Sequence, residues 1–319
     1  MKIEKLSPAF KDYLWGGTKL RDVYGKNCDY DKVAESWELS THPAGESRIT
    51  GGAFDGLTLG EYFAKVGKDV LGSHGKAFEN FPVLIKFIDA REPLSIQVHP
   101  SDEYALREEH EYGKTEMWYV MDCEPGAFLY FGVNREITRE EFRQRIENNT
   151  VLEVLNRVDV HPGDVFFIES GTIHAIGAGI LICEIQQNSN CTYRVYDYDR
   201  RGADGKPREL HVEKALAVFR FTPSDTTDRQ GGAQPVAGGS VKKLASCKYF
   251  TTEKLEISGT MTLTAGEDSF LSLIVLTGTA EIAGVENTLS CRAGDSVFVP
   301  AGAGTVTVSG NCQVIRTTV

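Results

Sequence analysis

Three short stretches of this 319-residue chain carry side chains that could ligate a single metal ion. They are Ser95-Ile96-Gln97-Val98-His99, Lys114-Thr115-Glu116, and the run from Gly163 to His174 (Gly-Asp-Val-Phe-Phe-Ile-Glu-Ser-Gly-Thr-Ile-His). Side chains along a strand alternate between faces. Leu94, Ile96 and Val98 therefore share one face, and Ser95, Gln97 and His99 the other. A row ending in Gln-x-His, backed by an apolar row, suits an interior that holds something in need of ligands. Imidazole with carboxylate is a donor set that borderline divalent metals accept.

Other side chains fall into place around that set. Lys114 has the strand parity of Glu116, so both can face one pocket. An ammonium beside a bound cation is costly unless an anion or a reacting oxygen lies between them, which makes Lys114 a candidate site residue. Alternation places Arg194, Tyr196 and Tyr198 on one face. The Arg194 guanidinium is a permanently charged donor fork that could meet an oxyanion, or could pair with Glu184 or Asp197. Arg200, Arg201, Lys206 and Arg208 form a compact basic group in an acidic chain, the kind of cluster that recognises phosphate. Ser95 lines the Gln97 face and is a further candidate to meet substrate.

The elements that must position these residues are mainly β. Glycine is abundant, with 32 residues, and short β-branched or aromatic runs recur between turn signals. They include Val83–Ile88, Leu94–Val98, Met117–Met121, Val165–Ile168, Ile180–Gln186, Leu271–Leu276 and Ser296–Val299. Such a pattern predicts a barrel or sandwich. Helical signals are few. Thr58-x-x-Glu61 opens one helix with Tyr62, Phe63 and Val66 as its apolar face, and Thr138-x-x-Glu141 opens a segment running to about Val158. Ser101 caps a short helix ending near Gly113, and His211–Phe219 is a fourth.

Residues 229–240 (RQGGAQPVAGGS) read as a linker between a first domain over 1–228 and a second over 241–319. An internal repeat crosses it: Gly163-Asp-Val-Phe-Phe-Ile-Glu-Ser-Gly171 is echoed by Gly294-Asp-Ser-Val-Phe-Val-Pro-Ala-Gly302, an offset of 294 − 163 = 131 residues. Leu271–Gly278 echoes Met117–Cys123 more weakly. The repeat implies two barrels from one ancestral unit. The second lacks the ligands, since the position matching His174 is Thr305 and the region matching Glu116 is Phe270–Ser272; it is read as structural.

The net charge of −11 argues against nucleic acid or an anionic membrane as partner. No apolar run is long enough to span a bilayer, and Met1–Pro8 has no signal-peptide core. The seven cysteines are scattered and never spaced as C-x-x-C, which predicts a reducing, cytoplasmic setting. His42-Pro43 and His161-Pro162 read as turns, and no nucleotide-binding glycine motif is present.

The Gly163–His174 spacing resembles the motifs of the cupin superfamily, β-barrels with an internal divalent metal. Glu169 stands where proline is more usual, and the second copy has that proline at Pro300. More specifically, Ser95–Pro100 (SIQVHP), Gly113–Val120 (GKTEMWYV) and His174–Tyr198 (HAIGAGILICEIQQNSNCTYRVYDY) resemble the type I mannose-6-phosphate isomerases, in their short bacterial form. Trp15-Gly16-Gly17, Glu35-Ser36-Trp37-Glu38 and Arg208-Glu-Leu-His211 are similar to further blocks of that family. Longer members carry Asn-His-Lys-Pro-Glu where this chain has Glu111-Tyr-Gly-Lys-Thr-Glu116, so the histidine beside the lysine is missing here.

The resemblance implies two jelly-roll (cupin-like) barrels, with a few helices inserted in the first. It implies one zinc ion per chain, ligated by His99, Glu116 and His174, with Gln97 as a fourth ligand. It also implies Arg194 and Lys114 as catalytic residues, and Arg200 where the family has a lysine that meets phosphate. With Lys206 nearby, and Ser95 and Glu184 lining the pocket, the expected substrate is a sugar phosphate. The implied reaction interconverts mannose 6-phosphate and fructose 6-phosphate through a cis-enediol. The general base is open between a metal-bound water, Lys114 with a depressed pKa, and Glu184. The rival readings are another metal cupin (a dioxygenase or a different sugar isomerase) and a non-catalytic sugar-binding bicupin.

Overall fold

The β-branched and aromatic runs are strands of three antiparallel sheets. The computed structural model describes residues 1–202, 205–224 and 231–319. One sheet has six strands, in the order Val165–Ile168, Glu116–Cys123, Ile180–Gln187, Val83–Ala90, Glu35–Leu39, Ala9–Lys11. A five-stranded sheet runs Tyr193–Tyr196, Ile96–Val98, His174–Ile176, Phe128–Val133, Leu155–Asp159. The third sheet has nine strands and is built mostly from the long strands Thr251–Ala265, Leu271–Ala283 and Gly304–Thr318.

Every residue of Val83–Ala90 and of Ile180–Gln187 is buried, because the six-stranded sheet is covered on both faces. On one face Ile88, Trp118, Val120, Ile168 and Ile182 pack against Leu129, Phe131 and Ile176 of the five-stranded sheet. On the other, Ile85, Phe87, Met117 and Cys183 join Phe63, Phe270, Ile274, Phe298 and Ile315. Strands buried twice lose the inside–outside alternation and read as continuous apolar runs.

The repeat is a repeat of backbone geometry. At the first copy, Gly163 N–H donates to Val120 O, Val120 N–H to Asp164 O, and His161 N–H to Asp164 Oδ2. At the second, 131 residues on, Gly294 N–H donates to Val275 O, Val275 N–H to Asp295 O, and Arg292 N–H to Asp295 Oδ2. All four repeat glycines (163, 171, 294 and 302) have positive φ, between 73° and 98°, the region where glycine has no Cβ penalty. Ile168 pairs with Glu116 and Val299 with Leu271, so Leu271 occupies the register position of Glu116.

Several expectations are corrected. Much of the anticipated linker is a hairpin: Gln234–Val236 pairs with Gly239–Ser246, while residues 229 and 230 lie outside the described residues. Gly238 and Gly239 serve close packing there, since a Cβ on them would sit 2.0 Å from Thr260 O and 1.8 Å from Glu256 O. Residues 1–228 do not keep to their own sheets, because Glu4–Ser7 pairs with Ser296–Val299 and Arg48–Thr50 extends the same nine-stranded sheet. The helix after Thr138 ends at Glu147, and the left-handed residue Asn149 precedes a short 3-10 turn and the Leu155–Asp159 strand. The helix after Ser101 ends at Glu108, just before left-handed His110. The Thr58 capping box is formed in full.

Phe298 is fully buried, 5.3 Å from the rings of both Phe63 and Phe270. Phe298→Ala should cost about 3–5 kcal/mol. The chain's three tryptophans are Trp15, Trp37 and Trp118, so fluorescence-detected urea unfolding reports on the first half alone. We expect its midpoint to fall together with the circular-dichroism midpoint. Fluorescence that stays put while dichroism shifts would show that the halves unfold independently.

Candidate active site

Between the six- and five-stranded sheets the polar rows of several strands converge. Gln97 pairs with His174 across the five-stranded sheet, and Arg194 pairs with Gln97 on its other side. Glu116 opens the facing strand of the six-stranded sheet. Candidate ligand atoms of His99, Glu116 and His174, all buried, lie within 4.8 Å of one another. The Nε2 atoms of the two histidines are 3.1 Å apart. His99 Nε2 is 3.7 Å from Glu116 Oε2, and His174 Nε2 is 3.4 Å from Glu116 Oε1.

Backbone carbonyls fix the tautomers. His99 Nδ1–H donates to Cys191 O and His174 Nδ1–H to Thr172 O, each at 2.9 Å. A carbonyl only accepts, so each Nδ1 carries the proton and each Nε2 presents a lone pair. Burial, reinforced by the Lys114 ammonium, holds His99 well below its ordinary range, and burial takes His174 down to about 4. Two neutral imidazoles thus aim lone pairs at one carboxylate, whose Oε2 is met by the Lys114 ammonium and whose Oε1 accepts no hydrogen bond. Two lone pairs and a carboxylate oxygen turned toward one another in a dry interior are costly, and a divalent cation would satisfy them together. The carboxamide of Gln97 ends 3.4 Å from His174 Nε2 and borders the same point.

Charged groups surround the cluster. Lys114 Nζ is 2.8 Å from Glu116 Oε2, 3.3 Å from His99 Nε2 and 3.8 Å from Glu184 Oε1. Burial disfavours its ammonium, but Glu116 and Glu184 outweigh that and hold Lys114 above its ordinary value, the reverse of the depressed pKa a lysine base needs. Burial and the Glu184 carboxylate push the Glu116 carboxyl up. Glu184 Oε2 accepts from Trp118 Nε1–H at 3.0 Å, while its Oε1 accepts no hydrogen bond. Burial alone would raise Glu184, and the ammonium groups of Lys114 and Lys86 reverse that and hold it low.

This arrangement matches known proteins along nearly its whole length. A model of the catalytic domain of type I phosphomannose isomerases matches residues 3–123, and a model of the mannose-6-phosphate isomerase cupin domain matches residues 240–319. The probable mannose-6-phosphate isomerase GmuF of Bacillus subtilis is 40% identical over 310 residues, spanning 97% of this chain and 96% of the relative. The chain belongs to the type I mannose-6-phosphate isomerases. A Streptococcus mutans mannose-6-phosphate isomerase is 36% identical over 288 residues, covering 90% of this chain and 89% of its own. The crystal structure of the Bacillus subtilis mannose 6-phosphate isomerase superposes with a TM-score of 0.92 at 34% identity, covering 100% of both chains.

Beyond the cluster, Arg194 is half-buried; its Nε donates to the buried Ser95 Oγ at 3.2 Å and its Nη1 to Glu209 O at 2.9 Å. It pairs with neither Glu184 nor Asp197. The Asp197 carboxylate is shared by Arg200 (2.5 Å) and Arg208 (2.6 Å), and Arg200 Nη1 also donates to Pro93 O. Lys206 lies on an exposed turn where its carbonyl accepts from Gly202 N–H. The expected shared face of Arg194, Tyr196 and Tyr198 is broken by a register shift after Arg194: both tyrosines pack with Ile96 and Val98 on the outer side of the five-stranded sheet.

Sequence reasoning did not assign site roles to Lys86, Trp118 or Glu35. Lys86 Nζ lies 3.6 Å from Glu35 and 3.6 Å from Glu184, over the ring of Trp37. A lone lysine inside the apolar run Val83–Ile88 was the available signal. His42 hydrogen-bonds Glu111, and His161 is an exposed turn residue, in keeping with structural or surface roles.

A histidine held near pKa 4 when folded, and near 6.5 when unfolded, binds fewer protons in the folded state between those values. Stability of the chelator-treated protein should therefore be unaffected by His174 above about pH 6.5 and fall as pH drops toward 4. His174→Gln should remove about 2–3 kcal/mol of that loss, measured by urea unfolding at pH 7 and 4.5. Identical slopes for variant and parent would sink the neutral-tautomer assignment.

Proposed function

We propose that the chain is a zinc-dependent aldose–ketose isomerase that interconverts mannose 6-phosphate and fructose 6-phosphate through a cis-enediol. The observation that carries this reading is the convergence of His99, Glu116 and His174, with two neutral imidazole lone pairs facing a buried carboxylate whose Oε1 accepts no hydrogen bond. Relatives named as mannose-6-phosphate isomerases over nearly the full chain supply the substrate. Two histidines and a carboxylate suit one zinc ion, with Gln97 adjacent as a fourth donor or a contact to substrate. When bound, such an ion would supply Lewis acidity toward the sugar oxygens.

The chain's own residues divide the remaining work. Glu184 takes the proton from C2 and returns it to C1, a role supported by a buried Oε1 without a hydrogen-bond donor. Lys114 is committed to Glu116 as an ammonium, so it serves as a donor to the developing enediolate rather than as the base. Arg194, held by Ser95 and the Glu209 carbonyl, offers its guanidinium to the same oxygens. The phosphate is met by the cluster that includes Arg200 and Arg208, and Lys206 adds positive charge to that loop. Two jelly-roll barrels descended from one unit, divided near residues 229–240, account for the repeated turns. The seven free cysteines fit a cytoplasmic setting, and among the described residues no helix is long and apolar enough to cross a membrane.

A coupled assay for fructose 6-phosphate formation tests the reading. Turnover should vanish with chelator and return with zinc. Lys114→Ala, Arg194→Ala and Glu184→Gln should each lose about 10²- to 10⁴-fold in kcat, with about one metal equivalent per chain retained. Chelator-insensitive turnover would refute the metal role, and absent turnover after zinc is restored would refute the isomerase.

A further inference from the structure

Tyr249 lies in the turn between the Gly239–Ser246 and Thr251–Ala265 strands, within the segment matched by the cupin-domain model and remote in sequence from every site residue. Its hydroxyl donates to Asp102 Oδ2 at 2.7 Å. The other oxygen of that carboxylate, Oδ1, accepts from Gly113 N–H at 2.9 Å and from Gln187 Nε2 at 2.7 Å. Gln187 Oε1 in turn accepts from Thr115 N–H at 2.8 Å. The amides on both sides of Lys114 are thus tied to one carboxylate, directly or through one glutamine, and Lys114 N–H itself donates to Pro100 O at 3.0 Å.

The segment is packed as tightly as it is bonded, since a Cβ on Gly113 would lie 2.4 Å from the backbone nitrogen of Asp102. The turn that presents Tyr249 is itself fixed. Cys247 N–H donates to Phe250 O at 2.9 Å, and Phe250 is buried in the core. The Tyr249 ring lies 6.3 Å from that of Phe78, a contact that does not need the hydroxyl.

We propose that Tyr249 is a positioning residue: through Asp102 and Gln187, the metal-free C-terminal sheet sets the segment that carries Lys114 and Glu116. A lysine on a freely moving loop samples many placements, and reaction geometry tolerates displacements well under an ångström before the rate suffers. Four hydrogen bonds converging through Asp102 and Gln187 remove that freedom without touching the ligand atoms. The kinetic consequence rests on the isomerase reading above; the structural one does not.

The experiment compares the full-length parent with Tyr249→Phe, which removes the hydroxyl and keeps the ring. Amide hydrogen exchange at Gly113 and Thr115 should speed up by about tenfold, the size expected for losing one bond to a charged group, with Val83–Ala90 unchanged. In the coupled assay kcat should fall about three- to tenfold, with KM and metal content unmoved and the thermal midpoint lowered by only a few degrees. Asp102→Ala should reproduce or exceed this, with Tyr249→Phe adding nothing on top of it; Asp102→Asn, which keeps an acceptor for Gly113, should retain most of the activity and guards against a misfolded alanine variant. Unchanged exchange in Tyr249→Phe, faster exchange with unaltered kcat, or an additive double variant would overturn the proposal. A parent with no turnover whose exchange still responds would refute the isomerase reading and leave the positioning network standing.

Discussion

A sheet covered on both faces has no water with which to stabilise charge, and the six-stranded sheet of this protein carries a linked group of five buried ionisable side chains on or beside it, apart from Glu38 and Asp89. Lys86, Glu35 and Glu184 sit within it, and Lys114 and Glu116 at one end. Each charge must find its compensation in another protein group or a ligand. The pairings that result, Lys86 with Glu35 and Glu184, and Lys114 with Glu116 and Glu184, are also the geometry of the site. The strand register that buries Ile85 and Phe87 on one face delivers Lys86 to the other, so fold and site are fixed by the same pairing.

The charge balance of this interior says what it can hold. With all five ionised, two lysines against three glutamates leave 2 − 3 = −1 beside two neutral histidines, and the upward push on Glu116 marks that last negative charge as costly without a cation. A divalent cation would bring the balance to +1, which suits a reaction that develops negative charge on sugar oxygens. Outside it, Arg194, Arg200 and Arg208 against Asp197 and Glu209 leave 3 − 2 = +1 in a partly exposed cluster. An acidic chain of net charge −11 thus concentrates positive charge in one partly exposed cluster, which on the proposed function is where a phosphate would arrive. Local field and overall charge have opposite signs, which favours a small anionic ligand over an extended one.

How much of this was legible in the sequence depends on the range of the interaction responsible. Strand parity, a local property, set Gln97 and His99 on one face, the family resemblance implied Glu116 and His174 as their companions, and the structure brings the four side chains together. The capping box at Thr58 was local too. What escaped was set at long range. The bulge that turns Tyr196 away from Arg194 arises from pairing with Ile96, nearly a hundred residues upstream. The hairpin that replaces the expected linker depends on glycines fitting against Thr260 and Glu256. Glu4–Ser7 joins the C-terminal sheet through a pairing that no window of sequence displays. Lys86 was visible as an anomaly, but its partners lie on two other strands.

The second copy of the repeat separates what a backbone requires from what chemistry requires. Its Gly-Asp turn keeps the same hydrogen bonds and the same left-handed glycines as the first. Those features answer to strand geometry and are needed wherever the chain must reverse there. The position in register with Glu116 is Leu271, and that of His174 is Thr305. Its interior is filled by Leu263, Leu273, Val297, Val299, Val306, Val308 and Val314. A buried carboxylate facing two imidazoles is costly without a cation, whereas aliphatic side chains at the same positions gain from burial. In a repeat unit that holds no ion, ligand side chains would therefore be the least stable part and the turns the most durable. A cluster of His99, Glu116 and His174 beside the first copy of the turn, against Leu271 and Thr305 at the matching positions of the second, is the pattern expected if one unit serves chemistry and the other scaffold.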